Sequence, residues 1–287
     1  MIWQTRRRTL DLTRRSLVMG ILNVTPDSFS DGGRHVHAAA ALAHARRLIA
    51  EGAALIDIGG ESTRPGAEPV DLTVEIARTV PVIAALRAEW DGLISIDTTK
   101  AAVAAAALEV GADIVNDVSG LLADPGMAQV CAASACGVVV MHRQGLPPTM
   151  QNAPRYTDVV AEVQTFFTTR LVALVAAGID QAALCFDPGI GFGKTLEHNL
   201  ALLRALGQLS PAGRPLLLGV SRKSFIGQII GSGAPLQHDG PTVAITALAR
   251  AQGVMLHRVH AVRPNLEALR ITEAMLGPGT TAIQSIS

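Results

Sequence analysis

The sequence is poor in cysteine, and the few cysteines it has form no pairing pattern. Cys131, Cys136 and Cys185 are an odd set without a Cys-x-x-Cys pair, and all three stand among apolar residues. A disulfide framework needs an even set at regular spacing, so none is expected. We predict three reduced cysteines in the core, as is typical of a cytoplasmic protein.

The chain also has no net charge. Its 24 Lys and Arg residues balance 24 Asp and Glu residues, and the sequence pI is about 7.1. A neutral chain has no general electrostatic field that attracts nucleic acid or an anionic membrane, so an anionic ligand must meet a local group of basic side chains. We expect a small-molecule partner, with no nucleic acid and no membrane among its partners.

Long apolar runs are absent as well. No run reaches the roughly 18 residues that span a bilayer, and the Ala-rich stretch 101–110 is interrupted by Glu109. Residues 1–16 are basic, but the apolar segment of a signal peptide does not follow them. The sequence therefore predicts a cytoplasmic protein, and a short transit segment at the start is the alternative.

What the chain does contain is enough apolar residues for a large core. Hydrophobic residues make up 49% of the 287 residues and charged residues 17%. The 27 glycines and 15 prolines are too few for a low-complexity or disordered chain. This length fits two ordinary domains, or one α/β barrel of roughly 250 residues.

Short apolar runs recur along the chain, and each ends in a polar residue or glycine. Runs with little alternation predict strands buried on both faces, as in a parallel sheet whose strands are joined by helices. The eight runs are LVMGILN (17–23), ALIDIGG (54–60), LISID (93–97), DIVND (113–117), GVVVMH (137–142), ALCFD (183–187), LLLGVS (216–221) and MLHRVH (255–260). Helices are predicted over 37–50, 101–110 after the cap candidates Thr98 and Thr99, 158–177, 196–207 and 241–252, with helix-ending glycines at 52, 111, 178 and 253.

Eight strand-and-helix units without a composition break predict a single (β/α)8 barrel, an α/β fold of the TIM type. We expect one domain over residues 1–287, with a core from about 17 to 276 and a frayed tail over 277–287, where periodicity is lost. A doubly wound open sheet is the alternative, because one sequence does not fix the number of strands.

Polar side chains collect at the carboxyl ends of the predicted strands, where barrels of this type carry out catalysis. A single such residue is more often a helix cap, and Asp97 before Thr98 fits that role. A whole set would be costly as caps alone, because buried charges need partners. Carboxylates and amides suit the edge of a flat nitrogen heterocycle, and cations suit a phosphate-type leaving group. The candidates are Asn23, Asp57, Asp97, Asn116, Asp187, Lys223, Arg258 and His260.

Two loops have the composition of phosphate-binding loops. Residues 189–194 (GIGFGK) are glycine-rich but lack the spacing of a Walker loop, and tight turns with positive φ are an alternative explanation of the glycines. Residues 221–224 (SRKS) follow the seventh strand, where barrels often bind phosphate, although a basic loop also suits solvated surface. Both interpretations stay open for each loop.

Seven longer segments resemble the dihydropteroate synthase family of the folate pathway. They extend from the first predicted strand to the last, so the resemblance covers nearly the whole chain. The segments are MGILNVTPDSFSDGG (19–33), IDIGGESTRPGA (56–67), SIDTTK (95–100), VNDVSG (115–120), DPGIGFGK (187–194), SRKSFIG (221–227) and RVHAV (258–262).

The resemblance implies a (β/α)8 barrel that joins 6-hydroxymethyl-7,8-dihydropterin diphosphate to p-aminobenzoate, giving 7,8-dihydropteroate and diphosphate. Met141 would line the pterin pocket and Arg258 would stack near the ring, while the pterin edge would meet Asp97, Asn116, Asp187 and Lys223. Asn23 would bind Mg²⁺, and the diphosphate would be held by Asn23, Arg258 and His260, with Asp57 in the same polar network. The other substrate-binding residues, on the p-aminobenzoate side, would be Thr63, Arg64, Pro65, Phe192 and Ser224, completed by loops 25–33 and 61–67. The resemblance alone implies a homodimer and a sulfonamide target.

The implied chemistry needs no activated Ser or Cys. If the carbon–oxygen bond to diphosphate breaks first, the amine of p-aminobenzoate attacks the resulting cation without a strong general base. The catalytic candidates are Asp97, Asp187, Lys223, Arg258 and His260, and which of the two acids relays a proton stays open.

One position departs from the family pattern. Ala261 follows His260, where the family usually has Asp. Loss of a supporting carboxylate can reduce rate or affinity about 10- to 100-fold, so restoring Asp is expected to raise activity unless the position is compensated nearby. Two other functions are alternatives: a non-catalytic pterin-binding paralogue, and a pterin-dependent methyltransferase with a cobalamin partner, which would have no use for a diphosphate site.

Overall fold

The structure is a computed structural model that describes residues 1–25, 34–62, 66–146 and 149–277, and for residues 34–37 it describes the backbone alone.

A short hairpin precedes the barrel and closes its lower end. Strands β1 (Ile2–Gln4) and β2 (Thr9–Asp11) pair antiparallel. Trp3 is fully buried, and its indole Nε1 donates to the Ala183 carbonyl at 2.8 Å. The sequence did not predict this hairpin, because three-residue strands are too short to show a period.

Eight parallel strands form the barrel, as predicted. They are β3 (Leu17–Asn23), β4 (Leu55–Gly59), β5 (Leu93–Asp97), β6 (Ile114–Asp117), β7 (Gly137–Met141), β8 (Leu184–Asp187), β9 (Leu217–Leu218) and β10 (Leu256–Val259). Their order around the described sheet is β8-β7-β6-β5-β4-β3-β10-β9. A parallel bridge between Phe186 and Leu216 links the two outer strands, and the Phe186 amide donates to the Pro215 carbonyl at 3.0 Å. The sheet therefore closes on itself, which excludes the open doubly wound alternative.

Helices follow the strands and cover the outside of the barrel. They are α1 (Arg34–Ala50), α2 (Leu72–Glu89), α3 (Ala101–Glu109), α4 (Met127–Ser134), α5 (Val159–Ala176), α6 (Leu196–Arg204), α7 (Ser224–Ile230), α8 (Asp239–Ala251) and α9 (Val262–Leu276). The five predicted helices are confirmed, and the positive φ angles of glycines 52, 111, 178 and 253 confirm the predicted helix ends. The predicted cap was wrong, because α3 begins after Lys100, whose amide donates to Thr98 Oγ1 at 3.2 Å.

Side chains on the barrel strands alternate between the interior and the layer beneath the helices. The lower interior is filled by apolar side chains, which we call the floor cluster: Trp3, Leu12, Met19, Leu55, Leu93, Ile114, Val139, Cys185, Leu217, Met255 and Leu256. Cys131 and Cys136 lie in the larger core between strands and helices, and all three cysteines are buried free thiols, as predicted.

Helix α5 corrects the expectation about long apolar runs. Its 18 residues have a mean hydropathy of 1.4, and among the described helices it is the one long and apolar enough to cross a membrane. Val163 and Phe167 on this helix are buried against the barrel. A single such helix is weak evidence for a membrane span, because a helix that packs on a core passes the same test.

Candidate active site

The predicted polar residues lie above the floor cluster because of the two-residue period of a strand. Asp57 is two residues beyond Leu55, and Asp97 is four beyond Leu93, so both face the interior. The same spacing from the floor cluster gives Asn116, Met141, Asp187 and Arg258 at two residues, and Asn23, Ser221 and His260 at four. The structure thus gathers these side chains at the carboxyl end of one barrel.

Arg258 joins two strands across the middle of this end. Its Nε donates to Asp57 Oδ2 at 2.6 Å, and its Nη2 donates to Asp97 Oδ2 at 2.7 Å. The Asn116 amide donates to the same Asp57 oxygen at 3.0 Å. Burial alone would lower the pKa of Arg258, but the charges of Asp57 and Asp97 outweigh it and raise that pKa above its usual value. The guanidinium is therefore a permanent cation held in place by two carboxylates.

Each of these carboxylates keeps one oxygen open to the interior. Asp57 Oδ1 and Asp97 Oδ1 are buried and have no hydrogen-bond partner among the described residues. Burial raises the pKa of Asp97 to about 7, although the Arg258 charge opposes the shift. An unsatisfied buried oxygen is costly, so each is suited to accept from an N–H group of a bound heterocycle.

Asp187 provides a further acid at the end of β8. Its Oδ1 accepts from the Gly189 amide at 2.7 Å, and burial raises the pKa of its carboxyl. A Cβ built on Gly219 would lie 3.7 Å from Asp187 Oδ2 and 3.9 Å from the Arg258 Cβ. Both distances are ordinary van der Waals contacts, so glycine at 219 keeps a side chain out of the space between this acid and this cation.

Lys223 and Phe192 stack at the edge of the same space. The Lys223 ammonium lies 4.5 Å from the Phe192 ring centroid and donates to the Ile190 carbonyl. Burial lowers the pKa of Lys223 to about 8, although the Asp187 charge opposes the shift. Ser224 begins α7 and is exposed beside them. The pair offers a cation and an aromatic face to a flat ligand.

The basic loop after β9 is held by contacts, which favours the site interpretation over a solvated surface. Arg222 adopts a φ of 59° and makes two 2.8 Å hydrogen bonds to Asp239. Ser221 Oγ lies 2.9 Å from His260 Nδ1 and accepts from the His260 amide at 3.2 Å. Left-handed backbone at a non-glycine residue is costly and tends to occur at functional sites. Here the left-handed residue Arg222 stands between Ser221 and Lys223, whose side chains are both held by hydrogen bonds.

Glycines of the loop after β8 allow close backbone contacts, which confirms the tight-turn interpretation. Gly189 and Gly193 have φ of 64° and 62°. A Cβ would lie 1.8 Å from the His142 carbonyl oxygen at Gly189 and 2.1 Å from that of Gln144 at Gly193. This packing also buries Lys194, which the sequence analysis did not select although an isolated lysine in a glycine-rich run after a strand is a visible signal.

Two clefts border the described chain at opposite ends of the barrel. One of about 390 Å³ lies at the carboxyl end and is lined in part by Gly191, Lys194 and Ser224. Another, of about 930 Å³, lies at the amino end between residues 13–18 and α9, far from the polar set. Catalysis in this fold occurs at the carboxyl end, where the smaller cleft lies, and of the predicted site residues this cleft is lined by Ser224.

Some predicted residues cannot be placed. Thr63, Arg64 and Pro65 lie outside the described residues, as does most of loop 25–33. Asn23 ends β3 and is half-buried. No group of three or more His, Cys, Asp or Glu able to hold a metal occurs among the described residues. Mg²⁺ usually keeps several waters and binds phosphate with one or two protein oxygens, so a single amide oxygen at Asn23 fits a diphosphate-bound Mg²⁺.

Comparisons with known proteins agree with this geometry. Residues 19–260 match the family model for pterin binding enzymes. The chain is 45% identical to dihydropteroate synthase of Escherichia coli over 268 residues, which cover 93% of this chain and 94% of that protein. Two solved Xanthomonas albilineans dihydropteroate synthase structures are similar. The one with 4-aminobenzoic acid has a TM-score of 0.90 at 45% identity and covers 96% and 98% of the two chains. The one with 7,8-dihydropteroate has a TM-score of 0.87 at 42% identity and covers 97% and 100%.

Proposed function

This chain belongs to the pterin-binding enzyme family as one of the dihydropteroate synthases, and on that premise we propose which side chains carry the reaction. The transferase reaction joins 6-hydroxymethyl-7,8-dihydropterin diphosphate to p-aminobenzoate and yields 7,8-dihydropteroate and diphosphate. The observation that carries the assignment is the Arg258 bridge between Asp57 and Asp97, with an open buried oxygen on each carboxylate.

The pterin binds deep in the barrel, above the floor cluster. Its amide and amine N–H groups donate to Asp97 Oδ1, which has no other partner among the described residues, and to the Asp187 carboxylate, and Asn116 and Lys223 complete the polar edge. Met141 is buried at the end of β7 and provides an apolar wall. The acids Asp57, Asp97 and Asp187 and the Asn116 amide surround the heterocycle with hydrogen-bond acceptors. Without a ligand, water would have to donate to these oxygens. Asp97, with a pKa raised to about 7, is the acid better suited to exchange a proton with the ring near neutral pH.

The diphosphate leaves toward the cations at the mouth. Arg258 carries five N–H donors, and its two bonds to Asp57 and Asp97 leave Nη1 available to the anion. His260 is held by Ser221 on the same side. Asn23 would hold Mg²⁺, which when bound neutralises diphosphate charge. Preorganised donors aimed at developing charge are the largest usual contribution to such a step.

The p-aminobenzoate binds nearer the surface. Phe192 and the Lys223 side chain stack at the rim and can cover one face of its ring, with Ser224 beside them. The resemblance to the family assigns Thr63, Arg64 and Pro65, which lie outside the described residues, to the same substrate. Its amine attacks the pterin methylene as diphosphate departs, and the proton lost from nitrogen passes to solvent or to diphosphate. An oriented pair of substrates needs no protein nucleophile.

A diphosphate-release assay tests this function. The purified protein with pterin diphosphate, p-aminobenzoate and Mg²⁺ should release diphosphate and form 7,8-dihydropteroate, with no release when p-aminobenzoate is omitted. Pterin binding without release would identify the non-catalytic paralogue. Methyl transfer from methyltetrahydrofolate to a cobalamin partner would identify the methyltransferase.

Replacing Ala261 by Asp tests whether the family carboxylate is compensated. Ala261 is the N-cap of α9 with φ −97° and ψ 95°, a conformation in which an Asp side chain can accept from the Arg263 amide, since Pro264 at the next position has no N–H. We expect Ala261→Asp to raise the free energy of unfolding by about 1 kcal/mol. Turnover should be unchanged, because Ser221 already holds His260. Thermal denaturation and kcat measure the two effects, and a clear rise in kcat would show that Ser221 does not compensate.

The proposal also covers domain organisation, oligomeric state and cellular location. We treat residues 1–287 as one pterin-binding barrel domain, whose last ten residues lie outside the described part. A homodimer is supported by apolar side chains that α8 and α9 leave exposed, namely Leu248, Ile271 and Met275. A cytoplasmic location is supported by the three free cysteines.

A further inference from the structure

Lys194 is a buried amine that the proposed reaction does not use, and burial lowers its pKa to about 7. Its side chain is 3% exposed and forms no ion pair with a described carboxylate. Instead, Nζ lies 3.0 Å from His142 Nδ1, 2.9 Å from the Gly189 carbonyl oxygen and 3.1 Å from that of Phe192. Burying a charge without a counter-charge is expensive unless hydrogen bonds compensate, so these acceptors are essential to the position.

Burial and a neighbouring charge set the state of the His142 ring. The protonated Lys194 amine has only donors, so His142 Nδ1 is the acceptor toward it. Burial lowers the pKa of His142 to about 3, and the Lys194 charge acts in the same direction. The ring is therefore neutral, and it is held at 4.9 Å from the Phe166 ring in an edge-to-face contact. His142 follows β7, so Lys194 ties the end of one strand to the loop after the next.

The loop tied down by Lys194 is the one that presents Phe192. Lys194 binds the carbonyls at both ends of the four-residue turn from Gly189 to Phe192. Gly191 donates to Asn199 Oδ1 at 2.7 Å, and the Gly193 carbonyl accepts from the Tyr156 hydroxyl at 2.9 Å. Asp187 stands on β8 itself and Lys223 on another loop, so of these three Phe192 depends most on the turn.

We propose that Lys194 and His142 are positioning residues that set the Phe192 ring for p-aminobenzoate, an inference that rests on the proposed reaction. They act through Phe192 and are not among the substrate contacts assigned above. Removing the Lys194 amine leaves the Phe192 carbonyl without this buried donor and the Gly189 carbonyl with only the Phe192 amide, and the turn relaxes. A misplaced ring raises the KM for p-aminobenzoate more than it changes pterin binding, because the pterin contacts other than Lys223 lie on the strands.

The test is steady-state kinetics of Lys194→Met, which removes the charge at similar volume. We expect the KM for p-aminobenzoate to rise about tenfold or more, with a much smaller change in the dissociation constant of a pterin measured by its fluorescence. Since this variant leaves the buried Phe192 carbonyl without its donor and so lowers stability, the pair His142→Leu and His142→Asn serves as a second test. Asn offers an amide oxygen close to the position of Nδ1, so it should restore most of the affinity for p-aminobenzoate that Leu loses.

Arg214→Met is the matched control. Arg214 is also buried and also donates to carbonyls, those of Leu184, Ile2 and Ala182, but at the amino end of the same strand β8. The Arg214→Met variant should have a lower melting temperature, with the KM for p-aminobenzoate and the dissociation constant of the pterin unchanged. Equal KM values for p-aminobenzoate in wild type, Lys194→Met and His142→Leu would overturn the inference. A wild-type protein without p-aminobenzoate-dependent diphosphate release would instead overturn the proposed function.

Discussion

Arg258→Met should lower turnover by about 10² or more, the effect of removing a preorganised electrostatic donor from an active site. The same change should cost about 3–5 kcal/mol of unfolding free energy, because it leaves buried Asp57 and Asp97 without their partner. Arg258→Lys should recover only part of either loss, since one ammonium cannot reach both carboxylates as the planar guanidinium does. Diphosphate release per folded molecule and denaturant unfolding measure the two effects separately.

A control for this prediction is available at the opposite end of the barrel. Arg87 is ion-paired with Asp113, which is fully buried, and donates to the backbone carbonyls of Gly111 and Gly92. Arg87→Met should therefore be destabilising to a similar degree with an unchanged kcat. If both variants lost turnover equally, or if Arg258→Met kept wild-type turnover, Arg258 would have a structural role and not a catalytic one.

Lys223→Ala should lower kcat/KM by about 10² while leaving the fold intact. Its ammonium is half-buried between the Phe192 ring and the Ile190 carbonyl, and it forms no ion pair with the described carboxylates. The pKa of Lys223 is lowered to about 8 by burial, so its charge is present below that pH and lost above it. Wild-type kcat/KM should therefore fall as the pH rises through about 8, and this limb should vanish in Lys223→Ala.

The surface variant Arg46→Ala is the comparison for Lys223. Arg46 is exposed and pairs with Glu89 on the outer helices, so its loss should affect neither rate nor pH profile. A Lys223→Ala enzyme with unchanged kcat/KM would remove Lys223 from the set of catalytic residues. An alkaline limb that persists in the variant would assign the titration to another group.

Much of the barrel could be predicted from the sequence, because buried parallel strands are apolar runs bounded by polar residues or glycine. The strand over 93–97 has the predicted bounds, whereas the last two strands are shorter than their apolar runs. Helix α2 was not predicted, and it contains Pro81 in its interior, which breaks the local helical signal. The spacing of apolar residues shows which positions are buried. Where a residue of low helix propensity such as Pro81 lies inside a buried helix, that spacing does not locate the helix.

The convergence of the predicted side chains at one end of the barrel could be read from the sequence, but their connections could not. A strand-end acid such as Asp57 is visible in a sequence, but its bond to Arg258 joins residues 201 positions apart and depends on barrel closure. The contact between Lys194 and His142 depends on the pairing of the neighbouring strands β7 and β8. One-dimensional patterns give the residues that face inward, and only the register between strands gives their partners.

The barrel sheet is held by the fewest paired residues between β8 and β9. One bridge joins Phe186 to Leu216 there, while other neighbouring strands share several pairs. Asp187 ends β8 on one side of this junction, and Lys223 follows β9 on the other. A pterin bound to both side chains would link β8 to the loop after β9, where main-chain hydrogen bonds are few, so pterin binding should reduce local unfolding there. Amide hydrogen exchange in β8 and β9 would then slow on pterin binding, and the local stability of the barrel would depend on whether substrate is bound.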